Sequence, residues 1–100
     1  MIRHTVVFKL KHAAGSEAEF AFLHAAQKLA TDIAVVKNFE ALRQTSKKNN
    51  YDFGLSMEFA SEEDYQIYNE HPLHVQFVET RWIPEVADFI EIDYKPYTEA

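Results

Sequence analysis

The feature that most constrains the fold is a strict alternation of apolar and polar residues near the middle of the chain. Between residues 51 and 59, every second side chain is large and apolar: Tyr51, Phe53, Leu55, Met57 and Phe59. Successive side chains of a β-strand point to opposite faces, so this pattern predicts a strand with one buried and one polar face. Residues 2–10 alternate in the same way, with His4 on the apolar face. We therefore expect a sheet that packs one face against helices.

The helices are predicted from their start signals. Ser16 with Glu19 has the capping-box pattern, which predicts a helix from there to about residue 32. The apolar face of this helix is expected to contain Phe22, Ala26, Leu29 and Ile33. Ser61 marks a second helix start. Because proline suits the first turn of a helix, Pro72 predicts a third, short helix over residues 73–82, and Pro84 is expected to stop it.

Two further strands complete the order of elements. The segments are a weaker strand over residues 35–43 and a last strand over residues 89–94. The resulting order, β-α-β-β-α(α)-β, predicts an α+β protein with a ferredoxin-like fold and a four-stranded antiparallel sheet. The length of 100 residues is that of one domain, which we expect to span residues 1–100.

Charge and composition exclude several classes of function. The formal net charge is −6, and the one basic pair, Lys47-Lys48, lies in a polar, turn-like stretch. Nucleic acids and anionic membranes need clustered basic residues, so neither is an expected partner. The chain has no cysteine and no apolar run long enough to span a membrane. These features fit a cytoplasmic protein, which is our expectation for its location.

Three segments together carry a resemblance to a known family. They are residues 3–9, residues 51–55 and residues 68–75, the last of which contains a His-Pro-x-His sequence, and Ile92-Asp93-Tyr94 follows near the end. In order and spacing they resemble the stress-responsive dimeric A/B barrel (Dabb) family over essentially the whole chain. The resemblance implies a ferredoxin-like monomer whose sheet pairs with a second sheet to form an α/β barrel.

The same resemblance implies a set of site residues. The best understood relative is a polyketide cyclase that closes a ring by intramolecular aldol condensation without a metal or an organic cofactor. Its pattern implies that His74 is a general base, that Asp93 holds this histidine, and that Tyr68 is a catalytic pocket tyrosine. His4 is implied to bind substrate. Phe53 stands where that relative has a pocket histidine, which makes the implied substrate pocket more apolar.

The residue types themselves leave each role open. A histidine can accept a proton near neutral pH, and a carboxylate on its other nitrogen would raise its basicity. His74 can equally cap or pack a helix start, with Asp93 bound to a backbone amide. His4 can equally be a hydrogen-bonded core residue. The function is therefore open between a cofactor-free cyclase or lyase, a non-catalytic structural or ligand-carrying dimer, and a haem-handling monooxygenase-like enzyme.

No metal or organic cofactor is expected. His71 and His74 have the spacing of a helical metal pair, but His71 precedes a proline and is not expected to be helical. The sequence also has no glycine-rich nucleotide motif. The expected ligand is a small apolar or aromatic carbonyl compound, bound between the helices and the sheet.

A homodimer is expected because alternate residues of the last strand point to opposite faces of the sheet. If Asp93 points to the helices, Ile90, Ile92 and Tyr94 must point to the opposite face of the sheet. Three apolar side chains there would form an exposed patch that a second copy could cover. Such an interface is expected to bury more than about 1,000 Å².

Overall fold

The computed structural model describes residues 1–99 and contains one four-stranded antiparallel sheet, in the strand order β2-β3-β1-β4. In chain order the elements are β1 (Ile2–Leu10), α1 (Glu17–Asp32), β2 (Lys37–Arg43), β3 (Phe53–Phe59), α2 (Glu62–Glu70), α3 (Pro72–Phe77), a π-helical turn (Val78–Trp82), α4 (Ile83–Glu85) and β4 (Val86–Tyr94). This confirms the predicted ferredoxin-like fold. Ala100, the last residue of the predicted domain, lies outside the described residues.

The two predicted helix starts form as expected. The Ser16 hydroxyl accepts a hydrogen bond from the Glu19 amide at 3.2 Å, and the Glu19 carboxylate accepts one from the Gly15 amide at 3.0 Å. Ser61 caps α2 in the same manner through the Asp64 amide, at 3.1 Å. Both caps satisfy amides that have no partner inside the helix, which fixes where each helix begins.

The core lies between the helices and one face of the sheet. On β1 and β3, every second residue is buried, as the alternation predicted. One cluster of buried side chains surrounds Phe8 and Phe22, and a second surrounds Phe59 and Ile33. All four of these side chains are almost completely inaccessible to water. Burial of apolar surface, as in these side chains, is the dominant favourable term in protein folding.

The last third of the chain departs from the sequence-based expectation. Pro84 does not stop the helix, which runs on to Glu85. The helix first widens into a π-helical turn, where the Ile83 amide bonds to the Val78 carbonyl. Proline has no amide to donate, and a widened turn before it removes the need for that bond. As a result β4 begins at Val86, three residues before the predicted start.

Two other strand boundaries also differ. β2 begins at Lys37 rather than at residue 35, because Val35 and Val36 belong to the turn after α1, where the Val36 amide bonds to the Ile33 carbonyl. β3 begins at Phe53 rather than at residue 51. Both shifts are of the size that strand boundaries commonly show.

The register between β1 and β4 positions the candidate site. Asp93 pairs with His4, and Glu91 pairs with Val6. These residues point toward the helices, whereas Ile90, Ile92 and Tyr94 point away and are 42–51% exposed. The two faces of the last strand therefore carry the residues that the sequence predicted for them.

Candidate functional site: an apolar cavity with two histidines

A cavity of about 420 Å³ lies between the sheet and the helices. Thirteen of the side chains that line it are apolar: Val6, Ala26, Leu29, Ala30, Phe39, Leu55, Met57, Phe77, Val78, Trp82, Ile83, Val86 and Phe89. Its polar lining consists of His4, Tyr68, Asn69, His74 and Glu91. A largely apolar pocket with a few convergent polar groups is the usual form of a small-molecule site.

His74 enters the cavity from the first turn of α3. The helix starts there because Pro72 occupies its first turn and the His71 ring accepts a hydrogen bond from the Leu73 amide at 3.1 Å. Nδ1 of His74 lies 3.2 Å from the Asn69 carbonyl oxygen, which can only accept. Nδ1 must therefore carry the proton, so that Nε2 of the neutral ring keeps a free lone pair.

The protonation state of His74 follows from its surroundings. Burial lowers the pKa of the imidazole below its ordinary value. The neighbouring His4 and His71 act in the same direction, while the Asn69 carbonyl and the Glu91 charge oppose them. His74 is therefore neutral at pH 7, which is the form that can accept a proton.

Tyr68 lies directly beside His74. The ring centroids are 4.2 Å apart, and the tyrosine is 5% exposed. Burial raises the pKa of the Tyr68 hydroxyl well above its ordinary value, and the Glu91 charge adds to that shift. The hydroxyl therefore stays protonated and can donate a hydrogen bond to a ligand oxygen.

Asp93 is bonded to His4 and not to His74. Its Oδ1 lies 2.6 Å from His4 Nδ1, and its Oδ2 accepts a hydrogen bond of 2.7 Å from the Tyr65 hydroxyl. The expected hydrogen bond between His74 and Asp93 does not occur, because β-sheet pairing places Asp93 directly opposite His4. The prediction that Asp93 holds His74 is therefore wrong in its geometry.

Tyr65 is a residue that sequence reasoning missed as part of the site. Its hydroxyl lies 2.9 Å from His4 Nδ1 as well as bonding to Asp93, so the three side chains form one closed cluster. The available signal was its helical spacing of three from Tyr68, which places both rings on one face of α2. Burial, followed by the bond to Asp93, raises the pKa of the Tyr65 hydroxyl.

The other expected site residues divide into two groups. His4, Tyr68 and His74 line the cavity, as expected, whereas Asp93 lies outside that lining and borders a neighbouring surface cleft. Phe53 does not line the cavity either. It is buried in the core, with its ring centroid 5.7 Å from that of Phe8. The expectation that Phe53 contacts a ligand has no support in this geometry.

Two negative observations concern residues 1–99. No three His, Asp or Glu side chains in this part of the chain come close enough together to hold a metal ion. None of the helices described there is both long and apolar enough to cross a membrane.

Several solved structures of proteins with different activities or ligands share this fold. Hydroxynitrile lyase from Passiflora edulis is 13% identical, with a TM-score of 0.85 over 99% of this chain and 96% of that chain. A point mutant of MhuD, with two manganese protoporphyrin IX molecules bound per active site, is 17% identical, with a TM-score of 0.70 over 100% and 98%. Other matches of 14–23% identity are dimeric ferredoxin-like proteins. Likenesses at these identities show the fold alone.

A match of much higher sequence identity shows the family of this chain. A Dabb family protein with a ferredoxin-like fold from Mesorhizobium loti is 57% identical, with a TM-score of 0.94 over 95% of each chain. No curated protein gives a significant match. The sequence model of the stress-responsive A/B barrel domain matches residues 2–96. This protein therefore belongs to the stress-responsive A/B barrel (Dabb) family.

Proposed function

We propose that this protein binds a small, largely apolar carbonyl compound in its cavity and acts on it as a cofactor-free lyase or cyclase. The observation that carries the proposal is the setting of His74. Its Nδ1 is bonded to the Asn69 carbonyl, and the half-buried ring lines a largely apolar cavity beside the ring of Tyr68. A neutral histidine with a free Nε2 next to a hydroxyl donor is suited to removing a proton beside a carbonyl group.

The proposed reaction needs no group beyond these side chains. Nε2 of His74 takes a proton from the carbon next to the ligand carbonyl, which leaves an enolate. Tyr68 donates a hydrogen bond to the enolate oxygen, and a preorganised donor at this position lowers the barrier because charge develops there. The enolate carbon then attacks a second carbonyl of the same ligand, and the imidazolium returns its proton to the resulting alkoxide.

His4 serves in this proposal as a polar contact for the ligand. Asp93 accepts the proton of its Nδ1, which holds the ring in place and leaves Nε2 for the ligand. His4 is 8% exposed and lines the cavity, so its free nitrogen suits a ligand hydroxyl. Asp93 and Tyr65 thus act on the ligand through His4 and have no direct part in the chemistry.

Proton abstraction can be tested without knowing the natural substrate. In D₂O, the enzyme should speed exchange of the protons beside the carbonyl of benzylacetone, followed by NMR. Because general-base action contributes roughly 10²–10⁴-fold, His74→Gln should slow the catalysed exchange by about that factor. His24→Gln, on the exposed surface of α1, is the matched control and should exchange at the wild-type rate. Equal exchange rates in His74→Gln and the wild type would refute the role of His74.

A second candidate is metalloporphyrin binding. Two observations favour it: the fold is shared with a protein that binds manganese protoporphyrin IX, and an imidazole with a free Nε2 lines the cavity. Adding haem should then shift the Soret band, and His74→Ala should remove the shift. No Soret shift in the wild type would reject this candidate.

A ligand carrier without catalysis is the third candidate, and the chain contains a probe for it. Trp82 is the one tryptophan of the sequence, and it lines the cavity. A bound ligand should change its fluorescence. Saturable binding of benzylacetone with no proton exchange would favour the carrier over the enzyme.

We also propose that the working form is a homodimer. The support is the outer face of β4, where Ile90, Ile92 and Tyr94 are 47%, 42% and 51% exposed. Three adjacent apolar side chains on an open sheet face favour cover by another protein surface. A second copy of the sheet supplies that cover and closes the barrel for which the family is named.

A further inference from the structure

Glu91 is the one carboxylate in the lining of the cavity, and that lining contains no lysine or arginine. The residue lies on the helix-facing side of β4, directly opposite Val6. Sequence reasoning passed over it, because it belongs to no distinctive motif. In the structure it is a solvent-exposed residue that also lines a space otherwise walled largely by apolar side chains.

The Glu91 carboxylate differs in its bonding from two other acidic groups, Asp93 on the same strand and Glu85 in α4. Asp93 is bonded to His4 and Tyr65, and Glu85 is bonded to His12 and Arg81. Within residues 1–99, Glu91 forms neither a hydrogen bond through its side chain nor an ion pair. Nothing in this part of the chain neutralises its charge.

The Glu91 charge acts on two other polar groups of the cavity lining, Tyr68 and His74. It raises the pKa of Tyr68 and of His74, so it acts on both groups that the proposed reaction uses. Any ionised group on a ligand bound between these side chains experiences the same negative field. The two histidines do not balance it, since His74 is neutral at pH 7 and His4 is already paired with Asp93.

We propose that Glu91 sets the charge of the ligand: the cavity accepts uncharged and amine-bearing apolar compounds and rejects carboxylates. The inference rests on the proposed function, because it concerns the ligand of the same cavity. An ammonium group also gains from the aromatic faces of Tyr68, Trp82 and Phe89, which line the same space. A carboxylate has no basic side chain in the lining with which to pair.

The test uses three probes that share one apolar body and differ in charge: benzylacetone, phenylpropylamine and phenylpropanoate. Binding is measured by Trp82 fluorescence at pH 7 and low salt. The wild type should bind the ketone and the amine and bind the phenylpropanoate at least about fivefold more weakly than the ketone. Glu91→Gln should strengthen phenylpropanoate binding and weaken phenylpropylamine binding, each by about fivefold, and leave benzylacetone unchanged.

Glu40→Gln is the matched control, because it removes the same charge from the exposed strand β2 on the other edge of the sheet. It should leave all three affinities at their wild-type values, which separates a local field from the overall charge of −6. If Glu91→Gln leaves the order of the three affinities as in the wild type, the proposal that Glu91 sets the charge of the ligand is refuted, while the ligand site stands. If no probe binds to either protein, the ligand site itself is refuted, and the inference falls with it.

Discussion

The neighbouring strands β1 and β4 use their two faces in opposite ways. On β1 the helix-facing residues are all buried, and the outward face carries Arg3, Thr5 and Lys9. On β4 the helix-facing side carries Glu91 and Asp93, while Ile90, Ile92 and Tyr94 point outward. Only Val86, the first residue of β4, is buried. From Arg3 to Lys9 the two strands are paired residue by residue, so the contrast does not arise from comparing different levels along the strands.

The contrast teaches where a small α+β domain can place a site. The central strand supplies the core, so most of its helix-facing positions are apolar, and its one polar residue there, His4, is buried and bonded to Asp93. The edge strand is covered incompletely by the helices, so a cavity remains beside it and water reaches its carboxylates. Because β4 is at the edge, its outward apolar side chains also lie where a second sheet can approach. One strand thus provides both a charged group of the candidate site, Glu91, and the proposed dimer interface.

The largest expected effect compares two phenylalanines that face each other across the strands. Phe8 is 0% exposed and packs against Phe22 and Trp82, whereas its partner Phe89 is 44% exposed. Phe8→Ala should lower the free energy of unfolding by about 3–5 kcal/mol, and Phe89→Ala by about 1 kcal/mol. Urea unfolding at one protein concentration measures both. Equal losses would show that β4 is covered as completely as β1.

The second prediction tests the outward face of β4 as the dimer interface. The double substitution Ile90→Lys with Ile92→Lys places four charges in a symmetric interface and removes its apolar contacts. The dissociation constant of the dimer should rise by at least about 100-fold, since each buried isoleucine contributes about 1.5–3 kcal/mol. Sedimentation velocity measures the change.

The control for that experiment is Ile67→Lys, because Ile67 is 50% exposed on α2, away from the sheet. It should leave the oligomeric state unchanged. A wild-type protein that sediments as a monomer at micromolar concentration would contradict the proposed dimer, whatever the variants show.

The third prediction compares the two carboxylates on the inner face of β4. Asp93→Asn removes a charged acceptor from buried His4 and leaves the Tyr65 hydroxyl with a poorer partner, so stability should fall by about 1–2 kcal/mol. Glu91→Gln makes the same charge change two residues away without breaking a side-chain hydrogen bond, and should change stability by less than about 0.5 kcal/mol. Urea unfolding distinguishes them. Similar losses from both substitutions would mean that the His4–Asp93–Tyr65 cluster adds no stability of its own.

The smallest effect is a dependence of stability on pH. Because burial lowers the pKa of His74 in the folded chain, the unfolded chain binds the proton first as the pH falls. Stability from this group is therefore complete above the unfolded pKa of about 6.5 and declines as the pH falls toward the folded value.

His74→Gln should consequently lose less stability than the wild type between about pH 7.5 and about pH 5.5. His24→Gln, which replaces an exposed histidine on α1, should follow the wild type. Urea midpoints at the two pH values provide the comparison. If the wild type and His74→Gln lose the same stability between the two pH values, His74 is not desolvated in solution.

Much of the fold could be predicted because its signals are local. The alternation in β1 and β3 and the serine caps of α1 and α2 each depend on residues within a few positions of one another. One error, at Pro84, arose because the rule for proline does not allow for a widened helical turn before it. There the local rule for proline predicted a stop, but the chain formed a π-helical turn and continued to Glu85.

The candidate site was predicted less completely than the fold. His4, Tyr68 and His74 were chosen on the family resemblance, and all three line the cavity. Their catalytic and binding roles stay proposals. Tyr65 and Glu91 were missed because neither belongs to a distinctive motif. Tyr65 is linked to the site by His4 and Asp93, which are far away in the sequence, and Glu91 by its place in the lining of the cavity.

The sequence by itself determined the elements, their order, and which residues of each strand share a face, because these follow from backbone periodicity and local capping. Tertiary structure alone decided which charged group meets which histidine. Asp93 is 89 residues from His4, and only the β1–β4 register brings Oδ1 to 2.6 Å from Nδ1. A hydrogen bond depends on fractions of an ångström, and strand register and helix placement fix such distances only once the whole sheet has formed.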